Sequence, residues 1–595
     1  MLRTLSSIFV CLLLAVHGTL ATAADSRPNI LIVLLDDAGF MDFGAYGSDT
    51  RTPTIDALAQ RGTAFTRYYT TPLCGPSRAS LLTGQDNHLV GAGTLAEVVT
   101  EEMSALPAYS MRWADDQQTI ASRLKAEGYQ TFATGKWGIG SIGTNLPNRF
   151  GFDCSWVLDS TGASNYRAKS YLPQYLEVKW FEDGERVDLP ADFYSSRNIV
   201  DKMIGYIDDA DPERPFFGYV AYQALHIPVQ APRRFIDNYN GVFDRGWTAL
   251  REERLQRAID LGLVLPTTQL SGGAYNDRDW DSLSEEEQRY WARAMQTNAG
   301  MMEAADYHLG RLIAHLEASG QLDNTIVIVT SDNGPEYNTF GKTSSAGSRA
   351  FERFWMSLEG WDVEYDNLGQ QGSMAAIGHE WASVSAAPFH LFKFNTSEGG
   401  LRVPMVIAGP GIENLGFTNA VAQVADITPT VLEAAGIAAD GKEFRGRSQI
   451  PVLTSQTSSV YGSDDSLVFE VSGNAAVYRD NWKITLTLPP YGDGEWKLYD
   501  ISTDAGETTD LSAEHPSVKE ALIAEYDAYA QRVGVYEMPP GASARTQLAR
   551  NAAKKFAANY WYVVAGFFAL SAVLAYLIFR LLRALVNPRR EPVTP

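Results

Sequence analysis

Two continuous apolar runs, each leading directly into acidic or amide side chains, constrain the fold of this chain most strongly. Residues 29–37 read NILIVLLDD, and residues 324–333 read NTIVIVTSDN. Short runs that are rich in branched residues and lack polar alternation are typical of parallel strands buried on both faces. Because open α/β sheets bind ligands at the carboxyl ends of their strands, we expect the polar residues after the two runs to meet at one edge of a sheet.

These polar residues are of the types that bind a hard divalent cation. Asp36 and Asp37 follow the first run, and Asp332 and Asn333 follow the second. Adjacent carboxylates repel each other unless a cation lies between them, and oxygen ligands without His or Cys select Ca²⁺ or Mg²⁺ over zinc. Taken singly, the first pair could be a helix cap and a turn residue, and the second pair a turn. Their shared position after buried strands favours a metal site.

A third segment, LCGPSRASLLTG at residues 73–84, predicts a short helix that begins just after Cys74 and stops at Gly84. At a helix N-terminus, free backbone N–H groups and the helix dipole lower the pKa of a thiol and favour a bound anion. We therefore expect a nucleophile in an anion pocket, with Arg78 one turn behind it. A buried structural cysteine is the alternative.

The same segment carries a family resemblance. The pattern CGPSR followed by ASLLTG resembles the signature of type I sulfatases, in which a formylglycine-generating enzyme oxidises the cysteine to Cα-formylglycine. The resemblance runs from about Asn29 to about Gly534 and is strongest to bacterial arylsulfatases. In that family the formylglycine is hydrated to a geminal diol, and one of its hydroxyls attacks the sulfur of a sulfate ester.

The resemblance implies a substrate class and two cofactors. The substrate is a small-molecule sulfate ester, and the nucleophile is a formylglycine made from Cys74. The resemblance favours Ca²⁺ over Mg²⁺, and a hydroxyl of the modified Cys74 or a sulfate oxygen completes the shell formed by the four oxygen ligands named above. The formylglycine-generating enzyme is then a partner during maturation.

The resemblance also assigns roles to four cationic or basic side chains. Lys136 lies in GKWGIG, His226 precedes IPVQAP, and Lys393 begins KFNTSEGG. In the family, residues at these positions bind the sulfate, and the histidine also contacts the leaving oxygen. Arg78 holds the formylglycine and the carboxylates beside the metal. Without the resemblance, Lys136 would be a surface lysine, Lys393 a lysine that snorkels between two phenylalanines, and His226 a loop residue.

One position departs from the family pattern. Gly138 stands where the family loop has a histidine that assists the release of sulfate. Three explanations remain open: His88, His379 or His390 takes that place, water fills it, or the second step is slow. The departure also leaves a catalytically weak, membrane-tethered binding protein as an alternative function.

The overall charge narrows the choice of partners. A net charge of −22 argues against nucleic acid, which is bound by an excess of Lys and Arg. An anionic substrate must instead be drawn by a local cationic pocket. A formylglycine-dependent phosphonate or phosphate ester hydrolase would use much the same pocket and is a further alternative.

The predicted fold is α/β, with an alkaline-phosphatase-like large mixed sheet sandwiched by helices. A small antiparallel sheet with one helix forms a C-terminal subdomain, and a transmembrane helix follows it. The expected boundaries are a signal peptide (1–23), a catalytic domain (24–455), the C-terminal subdomain (456–536), a linker (537–559), a transmembrane helix (560–582) and a cytoplasmic tail (583–595).

The two chain ends carry the localisation signals. Arg3, an apolar run over 8–16 and small residues at 21–23 are typical of a secretory signal peptide. Residues 560–579 lack charge and match the roughly 20 residues that span a bilayer. We expect an exported protein that is anchored by its C-terminal helix with the catalytic domain outside the cytoplasm, in the periplasm if the source is bacterial.

Overall fold

The computed structural model describes residues 27–274, 277–342, 345–439, 444–539 and 541–586. Within these residues, ten strands form one large sheet and four strands form a small one. The strands of the large sheet are β1 (Asn29–Leu35), β2 (Thr63–Tyr69), β3 (Gln130–Lys136), β4 (Cys154–Leu158), β5 (Trp180–Glu182), β6 (Glu185–Val187), β7 (Phe216–Ala221), β8 (Thr325–Ser331), β9 (Met405–Ala408) and β10 (Gly416–Gln423).

The large sheet is mixed, and its strands lie in the order β10-β2-β9-β8-β1-β7-β3-β4-β5-β6. β1 pairs in parallel with β7 and β8, so that Leu35 lies beside Ser331. β3 is parallel to β7, whereas β9 and β5 run antiparallel to their neighbours. The carboxyl ends of β8, β1, β7 and β3 therefore lie side by side along one edge, as the sequence predicts.

Helices pack on both faces of the large sheet and in the loops around it. They are α1 (Pro53–Arg61), α2 (Cys74–Thr83), α3 (Ile120–Ala126), α4 (Ser195–Asp208), α5 (Arg233–Ile236), α6 (Gly246–Asp260), α7 (Glu285–Ala318), α8 (Ala346–Leu358), α9 (Gly378–Ser385), α10 (Glu398–Leu401), α11 (Ile427–Ala434) and α12 (Ile450–Leu453).

The central strand shows why the sheet is covered on both sides. Successive residues of β1 point to opposite faces, and all of them are buried. Leu31 and Val33 share one apolar cluster with residues of α4 and α7. Ile30 and Ile32 share another with residues of α2, α3 and α11. The predicted large mixed sheet between helical layers is confirmed.

The small sheet is antiparallel, as predicted, and one helix covers it. Its strands are β11 (Ser466–Val471), β12 (Asn474–Arg479), β13 (Trp482–Leu486) and β14 (Trp496–Asp500), and the helix is α13 (Pro516–Val533). Val477 and Ile484 of the sheet share an apolar cluster with Leu522 and Tyr529 of α13.

A buried group of polar residues joins this small sheet to the large one. We call it the interface cluster; its members are Asp86, His88, Arg445, Glu470 and Tyr529. Nε2 of His88 lies 2.7 Å from a Glu470 oxygen, and the Tyr529 hydroxyl donates to Asp86 at 2.8 Å. The C-terminal part is thus tied by charge, as well as by apolar contact, to the loop after α2.

The segment after α13 returns to the catalytic part of the chain. Residues 541–559 contain the helix α14 (Ala544–Asn559). Ala544 shares an apolar cluster with Cys74, and the Asn551 amide donates to the backbone oxygens of Glu97 and Val99 at 2.9 and 3.0 Å. α14 therefore packs beside the helix that carries Cys74.

The predicted transmembrane helix at 560–582 is wrong. A helix that crosses a bilayer needs roughly 20 consecutive, predominantly apolar residues, and no helix among the described residues is long and apolar enough. The helix at this place, α15 (Trp561–Val586), continues through Arg580 and Arg583. The membrane anchoring in the predicted localisation is therefore wrong as well. The predicted signal peptide (1–23) and residues 587–595 of the predicted tail lie outside the described residues.

Candidate active site

The residues expected at the strand ends do meet there. Asp36 and Asp37 follow β1, and Asp332 and Asn333 follow β8. The Asp37 backbone N–H donates to a carboxylate oxygen of Asp332 at 3.2 Å, and the Asn333 side-chain amide donates to Asp37 at 2.7 Å. All four side chains are buried. The two strands therefore bring their polar termini into one group, which we call the site cluster.

Backbone conformation explains how two consecutive aspartates face the same site. In a continuing strand, Asp36 and Asp37 would point to opposite faces of the sheet. Asp37 instead has a φ of 66°, in the left-handed region that non-glycine residues seldom adopt. This conformation ends the strand and lets both carboxylates join the site cluster.

Cys74 lies directly beside this cluster. It is the first residue of α2 and is 1% exposed. Its sulfur and one oxygen each of Asp36 and Asp332 all lie within 4.8 Å of one another. One turn along α2, Arg78 Nε donates to Asp332 at 2.8 Å, and Arg78 Nη1 donates to the Lys136 backbone oxygen at 2.6 Å. The arginine thus fixes α2 against two strand ends.

The expectation of a lowered thiol pKa is wrong. Burial raises the pKa of Cys74, and the ammonium groups of Lys136 and Lys393 offset that rise only in part. The helix N-terminus is sealed from water here, and the cost of burying a thiolate exceeds the local attraction. The unmodified thiol is therefore protonated rather than a ready nucleophile.

Two buried lysines each hold one carboxylate of the site cluster. Lys136 Nζ lies 2.6 Å from Asp36, and Lys393 Nζ lies 2.7 Å from Asp37 and 3.3 Å from Glu336. Burial acts to lower the pKa of both lysines, but the adjacent carboxylates outweigh it and raise them. Both ammonium groups are therefore charged.

His226 is fixed by contacts on three sides. Its Nδ1 donates to the Ile227 backbone oxygen at 2.7 Å, which leaves Nε2 directed at the site, 3.8 Å from a carboxylate oxygen of Asp37. The ring of Tyr171 packs edge-on at 5.0 Å, and a Cβ at Gly162 would lie only 2.7 Å from the imidazole. Burial, and then the charges of Lys136 and Lys393, hold the pKa of His226 well below its usual range.

The site cluster fits a hard divalent cation. The side-chain oxygen Oδ1 of Asn333 is buried and has no hydrogen-bond partner among the described residues. Burial raises the pKa of Asp36 well above its usual range, and the charges of Asp332 and Asp37 add to that rise although Lys136 opposes it. A cation among these oxygens would bind the unpartnered Asn333 oxygen and relieve the repulsion between the carboxylates.

Gly138 lies next to Gly75, and none of the three candidate histidines is among the described residues that line the cavity at this place. Gly138 has a φ of 60°, and a Cβ there would lie 3.2 Å from the Ser160 backbone oxygen. His88 belongs to the interface cluster. The rings of His379 and Phe392 are 5.7 Å apart, and the pKa of His390 is lowered to about 4 by burial and then by Arg251.

A cavity of about 230 Å³ opens next to Cys74, where Gly75 and Gly138 line it. Its other walls come from three separated segments, represented by Glu97, Asp159 and Tyr175, and from Lys555 of α14. The cavity therefore reaches the site through Gly75, the residue that follows Cys74.

Glu336 also belongs to the site, although it is not among the residues predicted above. One of its oxygens, one of Asp37 and a ring nitrogen of His226 lie within 4.8 Å of one another. Glu336 stands in a loop without periodicity, three residues beyond Asn333. Its proximity in sequence to the SDNG segment was the one available signal.

Comparisons with known proteins agree with this geometry. Residues 28–437 match the family model described as Sulfatase. An uncharacterized sulfatase of Schizosaccharomyces pombe is 32% identical over 541 residues, which cover 87% of this chain and 96% of that protein. The arylsulfatase of Klebsiella aerogenes is 32% identical over 426 residues, which cover 71% of this chain and 89% of the other.

Solved structures show the same fold. Ps i-CgsB, crystallised in complex with k-i-k-neocarrahexaose, has a TM-score of 0.61 at 23% identity and covers 89% of this chain and 97% of its own. PsFucS1 sulfatase from Pseudoalteromonas sp. has a TM-score of 0.54 at 20% identity, with coverage of 87% and 92%. At these identities the likeness concerns the fold alone.

Proposed function

Because this chain belongs to the sulfatase family, whose members are sulfuric ester hydrolases, we propose that it hydrolyses small-molecule sulfate esters of the arylsulfatase type. The proposed nucleophile is a Cα-formylglycine derived from Cys74. The observation that carries this proposal is the position of Cys74, which begins α2 within 4.8 Å of two carboxylates of the site cluster. A hydroxyl attached at this position would face the same groups.

Conversion of Cys74 is assigned to a formylglycine-generating enzyme that acts during maturation. The CGPSR pattern supports this assignment. The raised pKa of the thiol supports it too, because a protonated thiol is a poor nucleophile. After conversion, residue 74 would supply a hydrated aldehyde, whose hydroxyl could act as the nucleophile toward sulfur.

The buried cations bind and orient the sulfate. Lys136 and Lys393 hold Asp36 and Asp37, and each ammonium has three donors, so each can also bond a sulfate oxygen. Donors fixed in a water-excluded site stabilise the charge that develops in the transition state, and loss of one such donor typically costs about a hundredfold in rate.

Two side chains handle the protons. Asp332, or a carboxylate next to it, accepts the proton of the attacking hydroxyl, and Arg78 keeps that carboxylate in place. Nζ of Lys393, which is charged, gives a proton to the leaving oxygen. Nε2 of His226 is the second proposed donor and must first gain a proton, because the neutral ring carries its one proton on Nδ1, which donates to Ile227 and orients the ring toward the site.

The metal proposed for the site cluster is Ca²⁺, with Mg²⁺ less favoured. Asp36, Asp37, Asp332 and Asn333 would hold it together with an oxygen on residue 74, and the unpartnered Asn333 oxygen supports this set. When bound, the ion supplies positive charge that stabilises the sulfate and the attacking oxygen.

The test compares two cysteines in protein made with a formylglycine-generating enzyme. Mass spectrometry of the tryptic peptide is expected to find an aldehyde at residue 74 and a thiol at Cys154, which is also a free cysteine. Cys74→Ala is expected to lower kcat/KM for 4-nitrophenyl sulfate at least about a thousandfold, because the nucleophile is lost. The matched control Cys154→Ala should retain normal activity.

Two results would overturn the proposal. One is an active protein whose residue 74 remains a thiol. The other is a phenylphosphonate ester that is turned over faster than 4-nitrophenyl sulfate by the same preparation, which would favour the phosphonate hydrolase alternative.

A further inference from the structure

We propose that Lys555, on the C-terminal helix α14, determines specificity by binding a second anionic group on the organic part of the sulfate ester. This inference rests on the proposed function and extends it to the substrate class. The group recognised is a carboxylate or a second sulfate, because either presents anionic oxygens to the ammonium.

The first observation is that α14 forms part of the cavity beside Cys74. Lys555 lines the same cavity as Gly138 and as Gly75, the residue that follows Cys74. Its Nζ lies 4.9 Å from the centre of the Tyr175 ring, another wall of the cavity. A substrate whose organic part occupies this cavity would therefore meet a residue far from Cys74 in sequence.

The second observation is that α14 is firmly held in that position. The Asn551 amide donates to the backbone oxygens of Glu97 and Val99, and the Asn559 amide donates to that of Gln174 at 3.0 Å. These bonds tie α14 to two of the segments that form the cavity walls. Phe556, one residue after Lys555, stacks on Tyr560 at 4.6 Å and anchors the last turn.

The third observation concerns charge. Lys136, Lys393 and Arg78 each pair with a carboxylate of the site cluster, whereas no carboxylate of the described residues forms an ion pair with Lys555. Lys555 is exposed and lines the cavity, and its charge has no carboxylate partner among the described residues. In a chain of net charge −22, a cation in this cavity wall would favour a substrate that carries a second anion.

Two acids also line the cavity, and neither forms an ion pair with Lys555 in the described part of the chain. The hydroxyl of Tyr175 donates to Glu97 at 2.6 Å. Burial raises the pKa of Asp159 to about 7, although a hydrogen bond from the Gly143 backbone opposes the rise. Lys555 is the one lysine or arginine among the described residues of the lining, so a second anion would bind there rather than beside either acid.

The test uses two sulfonates that cannot be hydrolysed. Benzenesulfonate carries one charge, and 4-sulfobenzoate adds a carboxylate. Three proteins are compared: the wild type, Lys555→Gln and Lys554→Gln. For each protein, calorimetry gives the dissociation constants of the two sulfonates, and assays with 4-nitrophenyl sulfate give their inhibition constants. Lys554 is the matched control because it is an exposed neighbour on α14 that faces a different groove.

The wild type and Lys554→Gln are expected to prefer 4-sulfobenzoate about three- to fivefold, the size of an exposed ion pair. Lys555→Gln should lose that preference while its affinity for benzenesulfonate stays within about twofold. About 1 M salt should abolish the preference in every protein, because it shortens the screening length to about 3 Å.

The proposal is overturned if the wild type shows no preference, if Lys555→Gln keeps it, or if Lys554→Gln loses it equally. A failure of the proposed function looks different. In that case converted wild-type protein does not hydrolyse 4-nitrophenyl sulfate, whatever the sulfonate affinities measured by calorimetry.

Discussion

The interface cluster and the site cluster are both buried groups of polar and charged side chains. Only the interface cluster is complete, in the sense that the side-chain oxygens of its acids all have protein partners. In the interface cluster, both Asp86 oxygens and both Glu470 oxygens contact protein partners, which include His88, Tyr529 and the backbone of Gly473. In the site cluster, the side-chain oxygen of Asn333 has no partner among the described residues. A complete cluster can stabilise the fold without a ligand, whereas an incomplete one is built to receive one.

The largest expected effect is a loss of stability when the interface cluster is broken. His88→Ala leaves Asp86 and Glu470 buried without the imidazolium between them, and loss of one partner from a buried ion pair typically costs about 3–5 kcal/mol. Urea unfolding should show that loss in the free energy of unfolding, while kcat of the folded enzyme stays near normal.

His315→Ala is the matched control, because His315 pairs with Asp208 at the surface. It should change the free energy of unfolding by less than about 1 kcal/mol. A similarly small change for His88→Ala would mean that the interface cluster contributes no more than a surface pair.

A second test of the complete cluster uses pH. Burial alone would lower the pKa of His88, but the hydrogen bonds to Asp86 and Glu470 raise it to about 9 from its usual 6.5. Because the folded-state pKa is the higher one, the stabilisation is fully present below about pH 6.5 and is lost as the pH rises to about 9. The loss is of order 3 kcal/mol.

Urea midpoints measured at intervals from pH 6 to pH 10 test this expectation. The urea midpoint of the wild type should fall as the pH rises over that range, and the midpoint of His88→Ala should change less with pH. Parallel profiles for the two proteins would assign the pH dependence to other groups.

The smallest effect on stability, with a clear effect on activity, is expected in the incomplete cluster. Asn333→Ala removes the unpartnered oxygen, so kcat/KM for 4-nitrophenyl sulfate should fall about a hundredfold or more. In chelator, the free energy of unfolding should fall by about 1–3 kcal/mol, less than for His88→Ala, because the hydrogen bond from the Asn333 amide to the buried Asp37 carboxylate is lost.

Added Ca²⁺ sharpens this last test. At a hundred times its dissociation constant, an ion that binds only the folded state stabilises it by about 2.7 kcal/mol. The wild type and Asn324→Ala, a change at the opposite end of β8, should show that increase, whereas Asn333→Ala should not. Equal stabilisation of all three proteins would place the ion elsewhere.

The sequence predicted the parts of the molecule whose local pattern determines their environment. The apolar run of β1 ends at Asp36 and Asp37, and parallel pairing with β8 then brings Asp332 to the same edge. Such convergence follows from the rule that parallel strands share a direction. For this reason the large sheet and the positions of the polar strand ends could be predicted from single segments.

Properties set by tertiary packing could not be predicted in that way. The pKa of Cys74 depends on how completely distant elements bury it, and Glu336 reaches the site from a loop without a pattern. The helix α14 is rich in alanine and basic residues, and its sequence gave no sign that Lys555 would line the cavity. The membrane prediction at α15 was made from the length and lack of charge of residues 560–579, and it is wrong because no helix among the described residues is long and apolar enough to span a membrane.

The contact between Ala544 and the apolar cluster around Cys74 limits the time during which Cys74 is accessible while the chain is being synthesised. Cys74 is enclosed on that side only after α14 has been made, and nearly the whole catalytic part of the chain is translated in between. At about 5–20 residues per second, this interval lasts on the order of half a minute to a minute and a half. An enzyme that modifies the thiol of the nascent chain has that much time before α14 packs beside Cys74.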